Sequence, residues 1–474
     1  MTRFHTRRFV PGLFLWGLAS MAPAPDAGAQ NTIDWPATAR EAQSVLSAYL
    51  QVNTTNPPGN ELLGAHFLKE ILDREGIETQ LLDTTEIGPN RANLYARLRG
   101  NGSKKAIALV NHLDVVPVTP ASWSVDPFSG KVKDGYIWGR GAIDMKGNAV
   151  AQLMAMIALK RSGARLNRDI VFIANADEEL GSTGAIIFAN RHPDLLKDVE
   201  YLITEGADNV LDSAGKVVYF AVGVSEKRTF WQRLTVNGVP SHGSRPTKLN
   251  PVPRLVGALY RISQYETPLH VTPAVDKFFR DIARIYPEPQ RGWLSNVKTA
   301  LENPRAREWI LSDVTWNAIL RNTISLTGLT GSSKSNVIPA VATAEIDVRL
   351  LPDQDTTEFL KTLQAVVNDT AVHFTHLANT KAPLESPIDT DLFHAIERAA
   401  HDREPGAFVT TPMETAATDR PTYRKLGITT YGFSPFKIPR AELQRGMHGN
   451  DERLSVENVG YGVRFMYDIL RYAQ

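Results

Sequence analysis

The stretch "IVFIANADEELGSTG", Ile170 to Gly184, decides how this chain is read. An apolar run that reads as a buried strand ends in Asp177, Glu178 and Glu179, and small residues and the helical pattern "TGAIIFANRHP" follow. A continuously apolar strand passing into a helix points to a sheet covered on both faces. Three adjacent carboxylates at the end of such a strand carry a heavy desolvation penalty unless something positive meets them. The rest of the chain has to say what that is.

Working outward, the same texture recurs. "AREAQSVLSAYLQV" and "ELLGAHFLKEILDREG" read as helices, "RANLYARLRG" and "KAIALVNHLD" as strands, and "NAVAQLMAMIALKRSG" as a helix. "VEYLITEGAD" and "KVVYFAVGV" then read as strands. Near Ser225 the pattern changes: "KRTFWQRLTVNG" alternates like a half-exposed strand, and "NPVPRLVGALYRISQYE" reads as a helix. An irregular stretch with Trp293, Trp309 and Trp316 follows, then strand, strand and helix up to "TTEFLKTLQAVVND". The expectation is an α/β protein with a mixed sheet covered by helices on both faces and an inserted α+β lid or dimerisation domain. The boundaries read as 31–224 and 381–474 for the two parts of the catalytic domain, and 225–380 for the insertion.

Composition narrows the class. The chain has 474 residues, 43% hydrophobic and 22% charged, the balance of a globular enzyme with a sizeable core. A net charge of +1 gives no basic excess for nucleic acid. Cysteine is absent, which excludes disulfides and thiolate ligands, so any metal site must be built from His, Asp and Glu. At the N-terminus Arg3, Arg7 and Arg8 precede "FVPGLFLWGLASMA", and "AGAQ" offers a small-x-small cleavage site. Residues 1–29 are therefore expected to be an export signal, of the Sec or twin-arginine type, leading to the periplasm or the exterior, with an uncleaved anchor as the alternative. No other segment approaches the roughly 20 apolar residues a membrane helix needs, so no stable span is expected after cleavage.

The acids and histidines at strand ends carry the chemistry. "LVNHLDVV" sets His112 and Asp114 on one face of an extended segment, and "GRGAIDMKGN" holds Asp144 in a glycine-flanked turn before a helix. "NADEELG" gives Glu178 and Glu179, "LITEGAD" gives Glu205, and "RGMHGNDE" gives His448. The carboxyl ends of strands in open α/β sheets form the crevice where ligands bind. Singly, each residue has a plainer explanation as a cap, a turn former or a helix N-terminus complementing the dipole. Jointly, those explanations fail. A pair of divalent cations about 3.5–4 Å apart would neutralise the carboxylates, with one acid bridging and another left free to move protons. Asp114 is suited to orienting the His112 imidazole from behind.

"HLDVVP", "GRGAIDMKG", "DEELGSTG", "TEG" and "MHGNDE", in this order, resemble the co-catalytic zinc family of aminoacylases and related carboxypeptidases. That family includes glutamate carboxypeptidase, acetylornithine deacetylase and succinyl-diaminopimelate desuccinylase. The closing "MHGNDERLSVENVGYGVRFMYDIL" looks most like the branch of carboxypeptidase S, Gly-Xaa carboxypeptidase and N-fatty-acyl-amino-acid hydrolases. The resemblance implies that Asp144 bridges two zinc ions, that Glu179 and His448 complete one, that His112 and Glu205 complete the other, and that Glu178 is the general base. It implies a cis bond from Asp144 to Met145. "GVPSHGSRP" resembles the motif whose histidine, here His242, stabilises the oxyanion, in dimeric relatives at the partner's site. "SNVIP" and "DVRLLP" resemble substrate-grasping segments, making Asn336 and Arg349 candidates for holding a carboxylate, a task that suits a bidentate guanidinium. Cobalt or manganese would also suit N/O ligands. A homodimer through the inserted domain is a family expectation.

"AATDRPTYRKLG", Ala416 to Gly427, follows the family pattern only in part, and Arg420 receives no role from it. The resulting expectation is a two-metal hydrolase that splits the amide next to a free carboxylate in a peptide or N-acyl amino acid. The rivals are a same-fold aminopeptidase, which Arg349 argues against, and a metal-free binding protein, which predicts a missing ligand where none is missing.

Overall fold

The computed structural model describes residues 1–2, 31–379 and 385–474. Apart from its first two residues the expected export signal lies outside the described residues, as does the boundary at 380/381. Among the described residues no helix is long and apolar enough to cross a membrane.

The central sheet has six strands in the order Glu78–Asp83, Ala92–Leu98, Ile170–Asn175, Ala106–His112, Val199–Thr204 and Thr429–Gly432. The first two pairings are antiparallel and the last three parallel, so the sheet is mixed. Successive side chains on its strands feed two separate cores. Ile107, Leu109, Ile170 and Phe172 pack with the helices Trp35–Leu50, Lys146–Arg161 and Val456–Tyr472 on one face. Ala108, Val110, Val171 and Ile173 pack with Phe188 and Tyr423 on the other, under the helices Thr183–Arg191 and Arg420–Arg424. Both Ala106–His112 and Ile170–Asn175 are buried at every position, which is why each reads as an unbroken apolar run. Because the parallel strands run the same way, the ends at His112, Asn175 and Thr204 open on one edge of the sheet.

The inserted block is a four-stranded antiparallel sheet in the order Thr323–Thr330, Val341–Leu350, Arg228–Asn237 and Val372–Asn379. The helices Pro251–Ser263 and Thr356–Val367 cover it over a core that includes Phe230, Leu234, Ile346 and Leu363. Alternating burial along Val341–Leu350 is the half-exposed pattern the sequence carries.

Three departures from the sequence reading have physical causes. Glu78–Asp83 and Val372–Asn379 are strands at the edges of their sheets, where polar residues interrupt the apolar signal. The stretch read as irregular is helical. Its short helices Val297–Ala300, Pro304–Ser312 and Val314–Ile319 are started by Asn296, Asn303 and Asp313, whose side chains accept backbone amides. Its tryptophans pack on one another, with ring centroids 5.8 Å apart for Trp293 and Trp309 and 5.5 Å for Trp309 and Trp316. They lie against a core that runs from Val275 to Met413.

Candidate metal centre

His112 closes its strand, and Glu205 follows directly on the end of Val199–Thr204. Asp144 sits in the turn ahead of the helix Lys146–Arg161, and the bond from Asp144 to Met145 is cis, as the resemblance implies. Glu178 and Glu179 open a short helical turn after Asp177, which takes the left-handed conformation with φ 66°. That turn is pressed close to the strand end: a Cβ at Gly184 would lie 2.2 Å from the Ala176 carbonyl oxygen, so only glycine fits there. His448 also has a left-handed backbone, φ 56°, in the loop after the helix Arg440–Gly446.

These segments meet. His112, Asp144 and Glu205 form one group of potential metal ligands, and Asp144, Glu179 and His448 form a second, the ligand atoms of each lying within 4.8 Å of one another. Asp144 belongs to both and divides its oxygens between them. Its Oδ1 lies 3.1 Å from His112 Nε2, and its Oδ2 lies 3.0 Å from His448 Nε2. Glu205 Oε2 stands 3.7 Å from His112 Nε2, and Glu179 Oε2 stands 3.1 Å from His448 Nε2. The structure therefore brings together all five residues that the sequence singles out as ligands.

The electrostatics of the cluster suit cations. Burial pushes Glu178 well above the usual carboxylate range, with the Glu205 charge adding to it, and raises Glu179 to about 7. For His112, burial opposes the charged ring, yet the charge of Glu205 and the hydrogen bond to Asp144 hold it well above its ordinary value. Hydrogen bonds to Asp144 and Glu179 lift His448 to about 10. Glu179 Oε1 is buried with no hydrogen-bond partner. Four acids crowded into a largely buried pocket, one with an orphaned oxygen, are what divalent ions would satisfy. The set of two imidazoles and three carboxylates, Asp144 shared between the two groups, fits two such ions.

Asp114 is used differently from the sequence expectation. The ring Nδ1–H of His112 donates to the Asp114 main-chain oxygen at 2.9 Å, whereas the nearer carboxylate oxygen is 3.7 Å away. A carbonyl can only accept, so this bond fixes the tautomer that leaves Nε2 free as a ligand. The Asp114 carboxylate instead accepts the backbone amides of Glu178 at 3.1 Å and Glu179 at 3.2 Å. Sequence reasoning missed the residues behind it. Asn56 Nδ2 donates to Asp114 at 2.9 Å and to Asp177 at 3.0 Å, and Arg91 pairs with Asp177 at 2.9 Å and with Glu61 at 2.5 Å. Asp177, left without chemistry on the sequence alone, is the anchor of this buried network. Asp419 was missed too: it accepts from Asn175 at 2.7 Å, and burial lifts it to about 6. Its only sequence signal was the partly matching "AATD".

The other three predicted residues belong to the inserted block. His242 is exposed on the short strand Ser241–His242, which pairs with Val337–Ile338, and its Nδ1 lies 2.8 Å from Ser244 Oγ. Asn336 is its neighbour, its main-chain oxygen accepting from Gly243 at 2.7 Å. Arg349 lies in the block's sheet, 2.8 Å from Asp347 and over the Trp231 ring at 5.3 Å.

Fold and site together define a hydrolase of the metal-dependent peptidase and amidohydrolase type. The chain belongs to peptidase family M20/M25/M40, whose model matches residues 108–472. It is 31% identical over 382 residues to an N-fatty-acyl-amino acid synthase/hydrolase of Xenopus tropicalis, covering 77% of this chain and 71% of the relative. It is 29% identical to a probable carboxypeptidase S-like protein of Dictyostelium discoideum, covering 78% and 72%. Its fold matches that of a metallo-carboxypeptidase from Sulfolobus solfataricus with a TM-score of 0.72 at 21% identity, over 91% of this chain and 99% of that one.

Proposed function

We propose that this protein is an exported, two-metal hydrolase, most naturally zinc-dependent, that cleaves the amide next to a free carboxylate in a dipeptide or N-acyl amino acid. The observation that carries the reading is the division of the Asp144 carboxylate between His112 on one side and His448 on the other. Bound divalent ions supply a polarised carbonyl and a water acidified to near neutrality. The chain's own groups do the rest. Glu178 takes a proton from the attacking water, whose oxygen joins the carbonyl carbon. The C–N bond then breaks, and Glu178 returns the proton to the departing nitrogen. The amides bound to Asp114 hold Glu178 and Glu179 in register for these tasks.

His242 would steady the oxyanion from the inserted block, in the same chain or across a homodimer. Asn336 and Arg349 would hold the substrate carboxylate, which requires Arg349 to exchange or share its partner Asp347. Export rests on the basic, apolar and small-residue order of the first 29 residues.

The test is hydrolysis of an N-blocked dipeptide against a C-amidated dipeptide with a free amine, each with zinc and with cobalt. Cleavage of the N-blocked substrate alone is expected. Cleavage of the amidated one alone would make the protein an aminopeptidase.

A further inference from the structure

Beside His448 the closing loop carries another acid, which the mechanism above does not use. Glu452 is buried completely, and both its oxygens are turned toward the loop that carries Asp144. Oε2 accepts from Arg140 Nη1 at 2.6 Å and from the Gly141 amide at 2.9 Å. Oε1 accepts from the amides of Ile143 at 2.7 Å and Asp144 at 3.1 Å. Arg140 sends its other terminal nitrogen back to the Gly449 carbonyl at 2.7 Å, and the Gly139 amide donates to the Glu452 carbonyl at 3.0 Å. The loop bearing Asp144 and the loop bearing His448 are thus stitched together from both directions.

Burying an ion pair contributes little net stability, since the desolvation cost consumes the Coulombic gain. Apolar side chains could close the same space more cheaply. What a carboxylate does here that they could not is accept the amides of a tight turn, which have no helical partner, and set one loop's height against the other. The product of that registration is visible in the 3.0 Å separation of Asp144 Oδ2 and His448 Nε2.

We propose that Glu452, clamped by Arg140, is a positioning residue that sets Asp144 against His448 and so fixes the cation site they share with Glu179. The inference rests on the two-metal reading. It requires Glu452 to act on metal affinity, beyond any effect on folding.

Zinc binding to the full chain, read by competition with a chromophoric chelator, and the visible spectrum of the cobalt-loaded protein test it. Glu452→Gln turns an amide NH2 toward groups that are themselves donors. One of the two ions is expected to bind roughly 10–100-fold more weakly, with an altered cobalt spectrum, and the other within about threefold of the original protein. Two ions bound as tightly as before, with only the melting temperature lowered, would reduce Glu452 to a structural residue. If Glu452→Gln does not fold, Arg140→Lys decides, because it keeps a cation beside Glu452 but cannot also serve Gly449. A smaller weakening of the same ion supports the clamp, and unchanged affinity overturns it. Fewer than two ions on the original protein would sink the two-metal reading and this inference together, whereas unchanged variants on a two-ion protein would sink the inference alone.

Discussion

His448 Nε2 stands 3.1 Å from Glu179 Oε2, although more than half the chain separates them. Hydrogen bonds to Asp144 and to Glu179 lift His448 to about 10, and burial lifts Glu179 to about 7. A divalent ion needs both groups deprotonated. Below pH 10 it must displace the His448 proton, and below pH 7 the Glu179 proton as well, so metal affinity falls as pH falls. The expected loss is about tenfold per pH unit between pH 9 and 7, steepening below 7. Calorimetric titration with zinc in buffers of different ionisation enthalpy measures the protons released. Binding without proton release at pH 7 would contradict the assignment of His448 as a ligand.

Glu178→Gln keeps the shape of the side chain and removes its basicity. Turnover is expected to fall by at least about 10³-fold, while elemental analysis still finds the metal content of the original protein. Activity that survives would leave the proton transfer to another group.

His242 is exposed and makes no contact with the ligand cluster among the described residues, so its role depends on the inserted block closing over a site. For His242→Ala, kcat is expected to drop on the order of 10²–10³-fold with KM little changed. An unchanged kcat would show that the block does not reach the chemistry.

Arg91 pairs with both Glu61 and Asp177 in the buried network. Arg91→Met strands two acids and is expected to cost about 3–5 kcal/mol, read from urea unfolding. The loss depends on pH with a definite sign. Burial raises Glu61 from 4.5 to about 7 in the folded chain, so its contribution is fully present below pH 4.5 and is lost as pH rises through 7. Removing Arg91 widens that window, and the variant should be hurt more at pH 8 than at pH 5. A deficit independent of pH would place the effect in packing.

The five residues of the two His/Asp/Glu groups were legible because each stands where an apolar strand stops or in a loop bracketed by glycine, and the order of the motifs did the rest. What surrounds them was not. Asn56 and Arg91 find their partners far along the chain, and nothing beside them in the sequence marks a buried polar residue, while Arg140 and Glu452 stand inside the quoted motifs, which do not show that the two pair with each other. The use of Asp114 was half legible: its neighbourhood to His112 could be read, but which of its oxygens meets the ring is a matter of backbone geometry. Edge strands such as Glu78–Asp83 hid for the converse reason, since their pairing comes from a neighbour and leaves little apolar periodicity. Helices around Trp309 hid because each is short and rests on its cap and on ring packing.

That aromatic packing has an optical consequence. Indoles held as close and as tilted as Trp309 and Trp316, 5.5 Å apart at 71°, couple their transition moments and produce a paired band in circular dichroism. The helical stretch from Pro273 to Ile319 thereby carries its own spectroscopic label, and its melting can be followed apart from that of the central sheet without attaching a dye.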